Sequence, residues 1–117
     1  MARQWRVRLG EQAERDFIHI LQWTAETFGA RQAQTYRTVL EESIQDLADG
    51  PVIAGARLRN DILRGAYTLH VARHGRRGRH LLLYRVVGDR MIEIARILHD
   101  SMDLQRHVTD LDEEDKA

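Results

Sequence analysis

Two apolar stripes at helical spacing, parted by a single glycine, constrain this chain more than any other feature. From Glu11 to Phe28, the residues Ala13, Phe17, Ile20, Leu21, Thr24, Ala25 and Phe28 fall on one helical face. Glu11, Glu14 and Asp16 lie in the first turns, where the helix dipole favours negative charge. Gly29 is a natural stop. A second helix follows over 30–49, with Ala33, Tyr36, Leu40, Ile44, Leu47 and Ala48 on its apolar side, and Gly50-Pro51 closes it. At about 1.5 Å per residue each helix is roughly 27–30 Å long, and so short a connection forces them antiparallel. A helical hairpin cannot bury both stripes alone, so a sheet must cover it.

The rest of the chain supplies that sheet. Trp5, Val7 and Leu9 alternate with Arg6 and Arg8, a half-buried strand that Gly10 ends. The stretch 52–66 reads as irregular. Strands are expected over 67–73, 80–87 and 91–98, the first two joined by the glycine-bearing loop 74–79 and the last two by a tight turn at Gly88-Asp89. A short helix over 100–107 and an acidic, disordered tail over 110–117 complete the chain. The expected fold is a single α+β domain over 1–109 in the order β-α-α-β-β-β-α. An antiparallel sheet packs on the N-terminal helical hairpin.

A two-residue turn at Gly88-Asp89 would pair Val87 with Arg90 and so fix the register. One face then carries Leu81, Leu83, Ile92, Ile94 and Leu98 with Arg85 and Arg96, and as the more aliphatic face it is assigned to the helices. The other, partly open, carries His80, Tyr84, Glu93, Ile97 and His99.

Composition narrows the chemistry. There are no cysteines, which removes disulfides and thiol catalysis and fits a reducing cytoplasm. No apolar run long enough to span a membrane and no secretory leader are found, so a cytoplasmic protein is expected. No pair of the six histidines has the close spacing of a dedicated zinc site, and neither metal nor cofactor is expected. The formal net charge of zero hides an asymmetry. Residues 57–99 hold ten arginines against Asp61, Asp89 and Glu93, while both flanking segments are net acidic. A basic middle suits an anionic partner, and it equally suits a solvated surface.

Several short motifs, in order, resemble the ParE branch of the ParE/RelE toxin superfamily. They are Phe28-Gly29 followed by Gln32-Ala33 and Tyr36, then Leu47-Ala48 before Pro51, and Tyr84-Arg85-Val86. Ile94, Arg96-Ile97-Leu98-His99 and Met102-Asp103 follow, so that the likeness runs over about residues 5–108. The resemblance implies the toxin half of a bacterial type II toxin–antitoxin pair. Such a toxin has no catalytic residues, poisons DNA gyrase, and is neutralised by a ParD-like antitoxin in a heterotetramer or larger complex. DNA contact would then be indirect, through the antitoxin. Wrapping interfaces of this kind bury more than about 2,000 Å².

RelE-type members of the superfamily instead cut mRNA on the ribosome. Cleavage through a 2′-hydroxyl needs a proton acceptor, a donor and cations at the phosphate. Here the one lysine is Lys116, in the tail, and arginine is a poor base. The histidines His80 and His99, placed diagonally across the last hairpin, are the best pair for such chemistry. A member that binds antitoxin but has lost toxicity is a further alternative.

Candidate contact residues follow from these readings. Arg85 and Arg96 sit inside strands on an otherwise aliphatic face and call for partners, so they are assigned to antitoxin carboxylates together with Tyr67 and Arg73. Trp23 and Phe28 are candidates for an antitoxin helix. Arg76, Arg77 and Arg79, with His99, Met102 and Asp103, are candidates for gyrase or its DNA. The arginine cluster also suits a solvated loop tip, and His99 also suits a histidine satisfying nearby backbone groups.

Overall fold

The computed structural model describes residues 4–102 and residue 104. Its elements are β1 (Arg6–Leu9), α1 (Glu11–Phe28), α2 (Ala30–Asp46), a 3-10 turn (Leu47–Asp49), β2 (Arg57–Leu58), β3 (Tyr67–His70), β4 (His80–Gly88) and β5 (Met91–His99). The α+β class, the helical hairpin and the order of the main strands are those the sequence predicts. Of the short helix expected over 100–107, residues 100–102 form a turn and a bend and residue 104 is helical, while 103 and 105–107, like the whole tail 110–117, lie outside the described residues.

The five strands form one sheet in the order β1-β5-β4-β3-β2. β3, β4 and β5 are antiparallel neighbours, as expected. β1, expected in an antiparallel sheet, lies parallel to β5, from Arg6 beside Met91 to Leu9 beside Ile94. Both helices separate β1 from the other strands, so a crossover rather than a hairpin sets its direction. β2 is an addition inside the stretch read as irregular, pairing antiparallel with β3. Val7 and Leu9 pack towards the helices, while Arg6 and Arg8 remain exposed.

The expected register was one residue out, and the faces of β4 change with it. Gly88 pairs with Met91, so the turn residues are Asp89 and Arg90 rather than Gly88-Asp89, and Arg90 takes φ +52°. Val87 is left as an extra residue, because Val86 already pairs with Ile92. Side chains alternate along a strand, so this slip exchanges the faces of β4. Leu82 and Tyr84 therefore join Ala13, Leu40, Leu47, Leu69, Ile92 and Ile94 in the main core. Leu83 lies on the opposite side, buried with Ile62, Leu63, Ala66 and Leu98, and Leu81 packs against them. Placing Ile92 and Ile94 towards the helices was right; placing Leu81, Leu83 and Leu98 there was not.

Leu98 moved for a second reason. Tyr84 pairs with Ile94 but Leu83 pairs with Arg96, so Ala95 is an extra residue in β5. This bulge returns Ile97 to the core beneath the helices. It occurs where β5 runs past the end of β1 and its outer edge loses a partner. Asp16 of α1 covers that edge. Its carboxylate accepts the Ile97 N–H at 2.9 Å and the Arg96 guanidinium at 2.8 and 3.2 Å. The Asp16 side chain is only 14% exposed. Arg96, expected to await an external carboxylate, is thus paired within the chain.

Asp16→Ala leaves a largely buried guanidinium and a strand N–H without their acceptor. It should cost roughly 2–4 kcal/mol in urea unfolding. Glu11→Ala, which removes an exposed partner of Arg15, should stay within about 0.5 kcal/mol. Equal losses for the two variants would refute the edge-covering role.

Candidate functional site

The last turns of α1, the first turns of α2, the loop 71–79 and the paired ends of β4 and β5 surround an open groove of about 620 Å³. The single-residue connection at Gly29, with φ +97°, brings the two helix ends together there. On the helical side, Trp23 and Phe28 are 59% and 63% exposed. Their rings meet edge to face at 5.7 Å.

The opposite wall is the loop between β3 and β4. His74 (φ +53°) and Gly75 (φ +78°) turn it back, and the Arg76 N–H donates to the Arg73 carbonyl. Asp46, at the end of α2, accepts from Arg73 at 3.0 Å and from Arg76 at 2.6 Å, which pins the loop to the helix. The Arg76 side chain is 12% exposed, and its Nε is buried without a hydrogen-bond partner among the described residues. Arg79 donates to Asp100 at 3.0 and 3.1 Å, and His70 meets the same carboxylate at 2.9 Å. Hydrogen bonds from Arg79 and then His70 hold the Asp100 carboxyl down at about 2. Arg77 is exposed on the groove wall.

At the inner end the Tyr36 hydroxyl lies 2.6 Å from Nδ1 of His80 and accepts the Arg79 N–H at 3.3 Å. Burial, and next the neighbouring His99, push the His80 imidazole down to about 4, so it is neutral at physiological pH. Burial raises the Tyr36 hydroxyl, which keeps its proton. Tyr36 is therefore the donor to Nδ1, and the His80 proton sits on Nε2. His80 and His99 are direct partners across the β4–β5 pair, not diagonal ones, with ring centroids 5.2 Å apart. A second cavity of about 300 Å³, lined by His19, Ile20, Trp23, His80 and His99, shares the last three with the groove. Ser101 meets Nδ1 of His99 with its hydroxyl at 2.7 Å and its N–H at 3.2 Å, the local role that the sequence also allows.

The structure sorts the candidate residues differently from the sequence. Trp23 and Phe28, taken as antitoxin contacts, share one groove with Arg76, Arg77, Arg79 and His99, taken as gyrase or DNA contacts. Arg73 and Arg96 are held by Asp46 and Asp16. Arg85 has a partner within the chain and pairs across strands with Glu93. Tyr67 stacks on Tyr84 at 5.7 Å. Met102 is 40% exposed just beyond β5, and Asp103 lies outside the described residues. Sequence reasoning missed Tyr36, which was read as a stripe residue, and Gly78. A Cβ on Gly78 would sit 2.6 Å from the Val71 side chain and 2.8 Å from the Tyr36 hydroxyl. A glycine two residues before a strand, opposite a helical tyrosine, was the one available signal.

Comparison with known proteins adds the family. Residues 7–104 match the family model described as ParE toxin of type II toxin-antitoxin system, parDE. Toxin ParE1 of Mycobacterium tuberculosis is 32% identical over 103 residues, covering 88% of this chain and 97% of that protein. Toxin ParE1 of Caulobacter vibrioides is 33% identical over 101 residues, covering 86% and 95%. Among solved structures, a chain of the chromosomal ParDE TA system from P. aeruginosa superposes with a TM-score of 0.65 at 21% identity, over 84% of this chain and 98% of its own. The YoeB dimer from Staphylococcus aureus gives 0.51 at 17% identity, over 80% and 93%. These two likenesses are of fold.

Two outcomes follow from the geometry. The folded-state His80 binds fewer protons than the unfolded one between pH 6.5 and about 4. Its contribution is therefore full above pH 6.5 and drains away as the pH falls towards 4. Urea midpoints of the wild type should drop more steeply across that window than those of His80→Gln, whereas Asp100 acts lower, between 3.8 and about 2. Parallel slopes would contradict the neutral, buried imidazole. Gly78→Ala should cost about 1–3 kcal/mol through the clash with Val71 and Tyr36, and an unchanged melting temperature would contradict that contact.

Proposed function

We propose that this chain, which belongs to the ParE toxin family of type II toxin–antitoxin systems, poisons DNA gyrase in the cytoplasm and is neutralised by a ParD-like antitoxin. The match to ParE toxins along residues 7–104 carries the reading. The antitoxin segment lies over Trp23 and Phe28 and sets carboxylates against the arginine wall, in a heterotetramer or larger complex. Arg73, Arg85 and Arg96 are not among the residues lining the groove, and Asp46 and Asp16 hold Arg73 and Arg96 within the chain. No helix among the described residues is long and apolar enough to cross a membrane.

One observation favours a second reading, RNA cleavage, because His80 and His99 stand ring to ring at the end of an arginine-lined groove. The tautomer weighs against it. Nδ1 of His80 accepts a hydrogen bond from the Tyr36 hydroxyl and Nε2 already carries a proton, so neither nitrogen is free to remove a 2′-hydroxyl proton. The same low basicity makes His80 a poor carrier of the extra proton that a leaving oxygen would need. Contact, not chemistry, is the use this arrangement supports best.

The test is purified gyrase with relaxed plasmid. The toxin should inhibit supercoiling and accumulate cleaved DNA, and stoichiometric antitoxin should abolish both effects. Trp23→Ala with Phe28→Ala should weaken antitoxin binding by about tenfold or more. Supercoiling untouched by excess toxin, together with transcripts cut on ribosomes, would replace the first reading with the second.

A further inference from the structure

We infer that the groove between the helical hairpin and the arginine loop is a binding site for single-stranded nucleic acid. Among the described residues its charged lining is of one sign: Arg76, Arg77 and Arg79 face it, and neither aspartate nor glutamate does. The internal acids Asp46 and Asp100 engage Arg76 and Arg79 from behind, which orients those side chains without closing the groove. The exposed guanidinium of Arg77 is open to an acceptor in the groove. Opposite them, Trp23 and Phe28 brace each other and leave ring surface open.

An arginine track facing an aromatic platform is the arrangement that holds a single strand, with phosphates on the cations and bases on the rings. The neutral inner end suits a base edge rather than another phosphate, since His80 presents Nε2–H there. A second cavity shares Trp23, His80 and His99 with the groove, which gives a strand more wall to follow than a single metabolite needs. A duplex fits poorly because its bases are already stacked and offer the rings no face.

This inference deepens the target side of the reading above and rests on that reading only for its biological role. Oligonucleotide binding without gyrase inhibition would uphold the site and sink the gyrase target. Gyrase inhibition without oligonucleotide binding would do the reverse.

The experiment uses the full chain and fluorescein-labelled oligothymidylate and oligouridylate of about twelve nucleotides, a length within the usual range for such grooves. A duplex and an acidic peptide of matching length serve as comparators, and the readout is anisotropy. A single strand should bind more tightly than the duplex. Trp23→Ala should weaken it about tenfold or more, as loss of one stacked base predicts. Arg77→Ala should weaken it and lower the salt slope by about 0.7. Both side chains are exposed, so unchanged melting curves would show that the variants still fold. Preference between the two oligonucleotides assigns the ligand as DNA or RNA. The inference is overturned if neither strand binds, if the duplex binds as well, or if Trp23→Ala leaves affinity unchanged. It is equally overturned if only the acidic peptide binds, which gives the groove to a protein.

Discussion

The Asp16 carboxylate holds Arg96 and the Ile97 N–H where β5 runs beyond the shelter of β1, and the geometry of the groove follows from that grip. An uncovered strand edge would expose unpaired backbone groups under the helical hairpin. Asp16 satisfies one of them and fixes the bulge at Ala95. Because of that bulge, Ile97 sits beneath the helices, and two residues on, His99 meets His80 on the same side. Without the extra residue the strand end would turn its histidine away from Tyr36. A contact eighty-one residues apart in sequence thus sets the inner wall of the groove.

Much of the scaffold was legible because local patterns carry it. The stripes on α1 and α2, the stop at Gly29 and the alternation around Val7 and Leu9 each follow from spacing within one element. Register was not legible. The turn at Asp89-Arg90 differs by one position from the expected Gly88-Asp89, and the bulges at Val87 and Ala95 arise from pairing and edge demands that no single segment displays. A one-residue slip sufficed to exchange Leu81 and Leu83 for Leu82 and Tyr84 on the core face.

The same distinction applies to the site. Trp23, Phe28, Arg76, Arg77, Arg79 and His99, which the sequence reading divided between two partners, line one groove. Which arginines stay available was beyond sequence reasoning, because the acids that take them are remote. Asp46 reaches Arg73 and Arg76 across 27 and 30 residues, and Asp16 reaches Arg96 across 80. The basic middle of the chain is thus partly neutralised by the acidic helical half. Segmental charge overstates what the middle offers a partner. What remains is concentrated at the loop tip, and there the ion pairs give the arginines fixed positions.

On the two readings proposed above, such positioning would let one groove serve two partners. An antitoxin that lays apolar side chains over Trp23 and Phe28 removes exposed aromatic surface, which favours association at about 25 cal/mol per Å² buried. A nucleic-acid strand on the same rings gains stacking and phosphate contacts that weaken with salt. On those readings both occupants would draw on the same side chains and compete sterically, with no conformational change required of the chain. The loop is already tied to α2 through Asp46 and to the strand ends through Asp100, and Gly78 packs it against Tyr36. A groove so preorganised pays little ordering entropy for either occupant, and relative affinity alone then sets which of them holds it.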